Sequence, residues 1–327
     1  MTMGWNQASE TVDEALAGQL LDAYLDRRPG YVEVDTAIMY SKGETEKILG
    51  RLLAAAPERA SKAQFAIKAN PWHSSGSYAE ASGGLAPALV REQVETSLAS
   101  LGISSAEILY LHAPDPKTAI EDTLGEVHRL HKEGKFKVLG LSNYAAWEVV
   151  NIHALCAREG YVLPTVYQGM YNVITRQVEE ELLPALNALD IRFLVYNPLA
   201  AGMLTGKHKS LEEVPSKGRF TDNPMYQQRF WKAEIFQAVD GIRAACDAEG
   251  LPMVDASMKW LRLHSKIVPS RGDGVIIGAS SLRHLEDNLA ACEEEAPLPT
   301  SVLEAMDKAW AQARPACPSY FRGCSKY

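Results

Sequence analysis

Short stretches of consecutive apolar residues recur along the chain, and they are rich in β-branched and aromatic side chains. Most of them are hydrophobic throughout and do not alternate with polar positions. Strands that are covered on both faces have this pattern, because neither face meets water. The pattern predicts seven buried strands, over residues 31–38, 64–69, 107–113, 136–143, 164–171, 192–199 and 274–280.

Between these stretches the apolar residues follow the period of an α-helix. Two segments place them at steps of three and four on one face: Val90, Val94, Leu98 and Leu101 in the first, and Ile120, Leu124, Val127 and Leu130 in the second. The stretches that begin at 107, 136, 164 and 192 are 29, 28 and 28 residues apart, which is room for one strand and one helix. Repeated βα units of this kind build parallel sheets.

The number of strands favours a closed barrel. The seven stretches and a shorter one at residues 2–5 add up to eight, the strand number of a (β/α)8 barrel. An open dinucleotide-binding sheet would carry GxGxxG after its first strand, and the chain has no such motif. We therefore predict an α/β fold, a (β/α)8 TIM barrel. The composition does not shift along the chain, so residues 1–327 are expected to form a single domain.

Two segments depart from the strand–helix repeat. Residues 73–86 are small and polar, and we expect them to form a mobile loop. The gap from 200 to 273 starts with a polar, turn-rich stretch that predicts a large loop, and helices are expected over residues 229–249 and 253–263. Active sites of barrels lie at the carboxyl ends of the strands, so we expect the long loops at that face.

Charge and composition limit the classes of partner. The 327 residues carry a net charge of -8, which gives no electrostatic reason to expect nucleic acid or an anionic membrane as partner. No apolar run approaches the ~18 residues of a membrane span, and the first residues lack the features of a signal peptide. The five cysteines are scattered, as is typical of reduced thiols, so a cytoplasmic protein is expected.

Polar residues stand at the carboxyl ends of successive predicted strands. Asp35 and Tyr40 follow one strand, Lys68 ends the next, and His112 ends the one after. Each has a structural alternative: a turn cap for Asp35, a strand-end lysine that reaches water for Lys68, and an ordinary core residue for Tyr40 and His112. Burial of a polar residue in an apolar run is costly unless the residue has a partner. Later strands also end in polar residues, which favours a shared site over separate structural roles: Ser142, Asn143, Gln168, Asn197 and Ser280.

Together the first four residues form a proton-transfer set. An ammonium group beside a phenol lowers the pKa of the phenol, and a carboxylate keeps the ammonium group charged. A phenol tuned in this way can protonate a carbonyl oxygen. The pattern therefore favours carbonyl chemistry at the mouth of the predicted barrel.

Seven motifs in chain order resemble the aldo-keto reductase superfamily: DTAIMYSKGETEKILG, IKAN, YLHAPD, GLSNY, VYQGMYN, YNPLAAGMLTGK and GASSLRHLEDNL. The phrases KANPW, EGKF, PTVYQGMYN and CPSYFR are similar to the aflatoxin aldehyde reductase branch. The resemblance covers almost the whole chain. It implies a barrel enzyme that reduces an aldehyde or ketone with NADPH. It also implies that Tyr40 is the general acid and that Lys68 lowers its pKa. Asp35 would then pair with Lys68, and His112 would orient the substrate carbonyl.

The resemblance also implies a set of NADPH-binding residues. Ser142, Asn143 and Gln168 would bind the nicotinamide carboxamide, and Tyr196 would stack on the ring. The pyrophosphate would be wrapped by the segment that contains Asn197, Pro198, Leu199, Gly202, Leu204 and Lys207. The adenosine end would be held by Gly278, Ser280, Arg283, His284 and Asn288, and the pair Ser280 and Arg283 suits a 2′-phosphate.

Substrate contacts are implied for Trp72, His112, Arg219 and Arg322. Arg219 and Arg322 match positions that contact an acidic substrate group. The alternative for each is an ordinary surface arginine in contact with water. For Arg219, contact with the cofactor phosphates is a further alternative. Tyr320 and Phe321 stand next to Arg322, and two adjacent aromatic rings bury area only when they dock on something. Residues 318–322 are therefore expected to fold over the barrel mouth and present Arg322 to an acidic substrate.

Two other functions remain open. One is a reductase that acts on an imine or a complex natural product with the same site, and the other is a cofactor-sensing regulatory subunit. Retention of all four proton-transfer residues favours the enzyme. The pair His128 and His131 lies at helical spacing on a surface helix, and no metal site is expected. We expect a small carbonyl compound as the substrate, and a homodimer is one candidate for the oligomeric state.

Overall fold

The computed structural model describes residues 3–4, 11–27, 30, 32–72 and 81–327. Strands and helices alternate along this part of the chain. The strands are β1 Val32–Asp35, β2 Ala63–Ala69, β3 Ala106–Leu111, β4 Phe136–Ser142, β5 Pro164–Met170, β6 Arg192–Tyr196 and β7 Gly274–Val275. The helices are α1 Glu14–Arg27, α2 Glu44–Ala55, α3 Glu58–Lys62, α4 Pro87–Leu101, α5 Ile120–Lys132, α6 Ala146–Glu159, α7 Leu182–Ala188, α8 Pro224–Phe230, α9 Ala233–Ala248, α10 Met253–Lys259, α11 Leu282–Glu293 and α12 Thr300–Ala313.

The strands form one parallel sheet whose order is the order of the chain, from β1 to β7. Each strand pairs with the next one along the chain after a helical connection, as the βα repeat predicted. The apolar runs are buried on both faces because helices cover the outer face and the sheet curls over the inner one.

A small cluster fills the inner face of the curled sheet. It consists of Ala66, Ile108, Tyr110, Val166 and Leu194. The neighbouring residues on the same strands, such as Ile67 and Leu109, point outward into the larger core that packs against the helices. Gly140 makes room for the inner cluster, because a Cβ atom at this position would lie 2.4 Å from ring carbons of Tyr110.

The predicted first strand at residues 2–5 differs from the structure. Met3 and Gly4 form a turn, and the Gly4 N–H donates to the Val12 carbonyl over 2.8 Å. Residues 2 and 5 lie outside the described part. Among the described residues the sheet has seven strands, and no ladder joins β7 to β1. The α/β class and the parallel curled sheet are thus confirmed, while closure by an eighth strand and a single domain over 1–327 stay predictions.

The helices after β6 also differ from their predicted bounds. The helix expected over 229–249 is two helices, because α8 ends at Phe230 and α9 begins at Ala233. The helix expected over 253–263 is α10 followed by a wider π-helical turn at Trp260–His264. Of the loop predicted over 73–86, residues 73–80 lie outside the described part. No helix within the described ranges is long and apolar enough to cross a lipid bilayer.

Candidate active site

A cavity of about 780 Å³ lies at the carboxyl ends of the strands. Five strands contribute polar residues at or beside these ends, and the cavity also reaches Val32 on β1 and Val275 on β7, together with Leu20 and Leu21 of α1. The polar lining residues from the strand ends are Asp35, His112, Ser142, Gln168 and Tyr196. This is the face at which the sequence predicted the site.

Lys68 lies behind the lining of this cavity, with its side chain fully buried. Its Nζ atom donates to Asp35 Oδ1 over 2.6 Å and to the Thr36 carbonyl over 2.7 Å. The same Nζ lies 5.0 Å from the centroid of the Tyr40 ring. Burial lowers the pKa of Lys68, and the nearby carboxylates, Asp35 above all, oppose that effect.

Asp35 joins opposite sides of the curled sheet. It ends β1, accepts a hydrogen bond from Lys68 on β2, and also accepts one from Gln168 Nε2 on β5 over 2.8 Å. Strands β1 and β5 are not neighbours in the sheet, so this contact crosses the inner face. The carboxylate therefore fixes both the ammonium group of Lys68 and the amide of Gln168.

Tyr40 lies just beyond β1, at the start of a 3₁₀ turn, Tyr40–Gly43. Its N–H donates to the Ala37 carbonyl over 2.9 Å, and the next two residues have positive φ angles of 48° and 56°. This conformation is strained for non-glycine residues, and it recurs at functional sites. The tight turn brings the Tyr40 ring beside His112, with a centroid distance of 5.9 Å and an edge-on arrangement.

His112 directly follows β3 and is buried between aromatic side chains. The Trp72 ring meets it edge-on, with a centroid distance of 5.6 Å. Burial lowers the pKa of His112 well below its ordinary value, and the positive charges of Lys68 and Arg322 lower it further. His112 is therefore neutral at pH 7, with one ring nitrogen as a donor and the other as an acceptor.

Hydrogen bonds hold the polar residues that follow β4 and β6. The Asn143 side chain donates to the His112 carbonyl over 2.8 Å and accepts from the Tyr196 hydroxyl over 2.8 Å. The Asn197 side chain accepts from the Ala201 N–H over 2.6 Å. Ten residues that the sequence assigned to the cofactor line the cavity: Ser142, Asn143, Gln168, Tyr196, Asn197, Pro198, Leu199, Gly202, Gly278 and Asn288.

Other assigned cofactor residues lie elsewhere. Leu204 is fully buried in the hydrophobic core. Lys207 is exposed. Ser280 Oγ lies 3.5 Å from His284 Nδ1, and both residues are half-buried beside the first turn of α11. The Arg283 side chain is 88% exposed and lies 3.7 Å from Asp287.

Four arginine side chains line the cavity. Arg192, at the start of β6, pairs with Glu33, and the other three are Arg219, Arg229 and Arg322. Sequence reasoning identified Arg219 and Arg322 and missed Arg229, which lies in the last turn of α8. Arg229 Nη2 contacts the sulfur of Met170 at 3.5 Å. In the sequence, Arg229 fell at the start of a predicted helix, and nothing in that pattern distinguished it from a surface arginine.

The C-terminal strap, residues 318–327, brings Arg322 to the lining of the cavity. Tyr320 is buried and its hydroxyl accepts from the Ala146 N–H over 3.1 Å. The Arg322 N–H donates to the Asn143 carbonyl over 2.9 Å. The Arg322 guanidinium carbon lies 5.7 Å from the centroid of the Trp72 ring, so the strap brings a cation beside two residues of the site.

No group of three or more histidine, cysteine, aspartate or glutamate side chains within the described residues is arranged to hold a metal ion. All five cysteines are free thiols.

Comparison with known proteins identifies the class. The model of the Aldo/keto reductase family matches residues 2–311, so the chain belongs to that family, and it is an oxidoreductase. The resemblance drawn from the seven motifs is confirmed. Family membership supports carbonyl reduction with a nicotinamide cofactor and a small carbonyl compound as substrate.

The similar relatives include aldehyde reductases. Aflatoxin B1 aldehyde reductase member 2 from Mus musculus is 44% identical over 98% of this chain and 87% of its own length. The Homo sapiens protein of the same name is 44% identical over 98% and 89%. Aflatoxin B1 aldehyde reductase member 4 from Homo sapiens is 43% identical over 98% and 96%.

Proposed function

We propose that the protein reduces the carbonyl group of a small aldehyde or ketone to the alcohol, with NADPH as the hydride donor and Tyr40 as the general acid. The observation that carries the proposal is the buried Lys68, which contacts Asp35 at 2.6 Å and lies 5.0 Å from the Tyr40 ring. An ammonium group at this place stabilises negative charge on the phenol oxygen and so favours release of the phenol proton.

The four residues have separate tasks in this reaction. Tyr40 gives its hydroxyl proton to the carbonyl oxygen as that oxygen gains charge. Asp35 keeps Lys68 in place and charged. His112 is neutral, so it can donate one hydrogen bond to the carbonyl oxygen without competing as an acid. A reduced nicotinamide, when bound, supplies the hydride that reaches the carbonyl carbon.

The lining of the cavity suits a dinucleotide. It runs from Tyr40 past Tyr196 and Gly202 to Gly278. Tyr196 presents an aromatic face to a flat ring, and the absent side chain at Gly202 leaves open wall, since a Cβ there would meet only His208 Nε2 at 3.8 Å. Ser142, Asn143 and Gln168 would hold the carboxamide. Ser280 and Arg283 would contact the 2′-phosphate. NADH lacks this phosphate, so NADPH should bind more tightly.

The charge of the cavity mouth favours substrates that carry an acid group. Arg219, Arg229 and Arg322 all line it, and the side-chain contacts of Arg229 and Arg322 include the thioether sulfurs of Met170 and Met225. A carboxylate matches the fork of an arginine guanidinium group. We therefore propose a carboxylate-bearing aldehyde, such as a semialdehyde, as the preferred class.

The proposal is tested by following NADPH oxidation with a panel of small aldehydes, keto acids, semialdehydes and cyclic imines. Rapid turnover of aldehydes supports it. Turnover of cyclic imines alone would replace it with the imine reductase, and tight NADPH binding with no turnover of any compound would replace it with the cofactor-sensing subunit.

The substrate class is tested with Arg322→Met, which keeps the length of the side chain and removes its charge. The KM for a carboxylate-bearing aldehyde should rise by about tenfold or more, as expected for a partly desolvated ion pair. A neutral aromatic aldehyde should be nearly unaffected. Equal losses for both compounds would make Arg322 a structural residue.

A cytoplasmic location and a homodimer remain predictions. Both are checked directly, the first by fractionation of cells that express the protein and the second by sedimentation of the purified chain.

A further inference from the structure

A buried carboxylate lies under the C-terminal strap. Glu148, in the first turn of α6, has 0% of its surface exposed. Its Oε1 atom accepts hydrogen bonds from the Ser325 N–H over 2.7 Å and from the Tyr327 hydroxyl over 3.4 Å. Its Oε2 atom lies 3.4 Å from the Ala145 N–H at the start of its own helix. A buried carboxylate needs such donors, because burial without them strongly destabilises the fold.

These bonds fasten the strap on the side away from the cavity. On the near side, the Arg322 N–H is held by the Asn143 carbonyl at 2.9 Å. On the far side, the Lys326 carbonyl accepts from the Ile120 N–H over 2.9 Å, and the Lys326 N–H donates to the Asp115 carbonyl over 3.2 Å. Arg322 is therefore held directly by Asn143 and lies three residues before a second anchor at residues 325–327, in which Ser325 and Tyr327 contact Glu148.

We propose that Glu148 is a positioning residue for Arg322: by holding residues 325–327 it keeps the arginine over the substrate end of the cavity and so sets the preference for acidic aldehydes. This inference rests on the proposed function. Glu148 itself does not line the cavity; its effect reaches the substrate through the backbone of the strap.

The proposal differs from a purely structural role in what it predicts. A carboxylate that only caps α6 would, when changed, weaken the fold and affect every substrate alike. A carboxylate that positions Arg322 affects only compounds whose charge the arginine contacts. A pair of substrates of the same size and different charge separates the two roles, and para-carboxybenzaldehyde with para-nitrobenzaldehyde is such a pair.

The main variant is Glu148→Gln, with Glu159→Gln as its control because Glu159 lies exposed on the same helix. A second variant lacks residues 325–327 and leaves α6 unchanged, which guards against misfolding. We expect both Glu148→Gln and the deletion to raise the KM for para-carboxybenzaldehyde by about threefold to tenfold. The upper limit is the effect of Arg322→Met, since a displaced arginine does no worse than an absent one. The kcat of both aldehydes and the KM for para-nitrobenzaldehyde should stay unchanged.

Two further measurements complete the test. In the Arg322→Met background the deletion should add nothing, because two changes on one path are not additive. Hydrogen–deuterium exchange of residues 318–327 should quicken in Glu148→Gln and not in Glu159→Gln. The inference is overturned if both aldehydes lose affinity equally, if neither does, or if the two changes add. A native protein that reduces neither aldehyde would overturn the proposed function as well, whereas normal turnover with an unchanged KM would overturn this inference alone.

Discussion

The two ends of the cavity differ in how their charges are held. At the Tyr40 end the Lys68 side chain is 0% exposed, and the ion pair with Asp35 is 2.6 Å long. At the Gly278 end the Arg283 side chain is 88% exposed, and its distance to Asp287 is 3.7 Å. Buried pairs become strongly destabilising when one partner is removed, whereas exposed pairs contribute little. Loss of the ion pair at the first end should therefore alter stability and chemistry together, and loss of the ion pair at the second end should alter only affinity.

The largest effect is expected for Lys68→Met, which leaves Asp35 without its cation. We expect the free energy of unfolding to fall by about 3–5 kcal/mol and turnover to be lost. Lys62→Met is the matched control, because Lys62 pairs with Asp26 at the surface over 3.1 Å, and it should change stability by less than about 1 kcal/mol. Denaturant unfolding measures both, and similar values for the two variants would remove the contrast between the ends.

Tyr40→Phe should be next in size, because it removes the acid and keeps the ring. Turnover of aldehydes should fall by at least ~10²-fold, the low end of general acid catalysis, while NADPH binding and stability stay near native. Tyr161→Phe is the control, since Tyr161 stacks on His128 on the outside of the fold. Near-native aldehyde reduction by Tyr40→Phe would refute the assignment. Imine reduction can survive the change, since an iminium ion arrives already protonated.

A second buried carboxyl near Lys68 predicts a pH-dependent effect on stability. Burial raises the pKa of Glu46 from 4.5 to about 7, against the smaller influence of Ser97 and Lys68. Between these two pH values the unfolded chain releases the proton and the folded protein keeps it, so stability falls as the pH rises and then levels off. The loss is at most roughly 3 kcal/mol.

Glu46→Gln should therefore be more stable than the native protein at pH 8, and its advantage should shrink towards pH 4.5. Denaturant unfolding at several pH values measures this difference, with Glu44→Gln, exposed on the same helix, as the comparison. A difference that does not vary with pH would show that Glu46 does not titrate in this range.

Arg283→Ala should have the smallest effect and the most selective one. NADPH should bind about tenfold more weakly, the low end for one charge-assisted hydrogen bond, because an exposed guanidinium is screened by water and salt. NADH affinity and stability should not change, which makes NADH the internal control. Equal affinity of the native protein for both cofactors would reject the role of Arg283.

The same contrast explains what the sequence could predict. Asp35, Lys68 and His112 stand in or beside apolar runs, where burial of an unpaired polar group is costly, so their sequence context marked them. The sequence around a surface residue gives no comparable signal, because a polar residue is ordinary there. Lys207 and Arg283 were assigned by resemblance alone, and the structure places both outside the lining of the cavity.

Other features depend on contacts that no local pattern contains. Arg229 enters the cavity because the expected helix breaks after Phe230, where Trp231 leaves the helical conformation. Glu148 meets Ser325 across 177 residues of sequence. The apolar runs located six of the seven strands to within a few residues. The last strand proved shorter than its apolar run, because only Gly274 and Val275 form the ladder with β6.

The order of the sheet has a consequence for the time course of folding. Every strand pairs with its sequence neighbour, so the sheet can grow one unit at a time, with only the connection from β6 to β7 closing a long loop. The contact between Asp35 and Gln168, in contrast, joins residues 133 apart and forms only after β1 and β5 have been brought to face each other across the curled sheet. Refolding molecules should thus recover their far-UV circular dichroism before their catalytic competence, and the delay between the two signals measures how late the sheet acquires its final curvature.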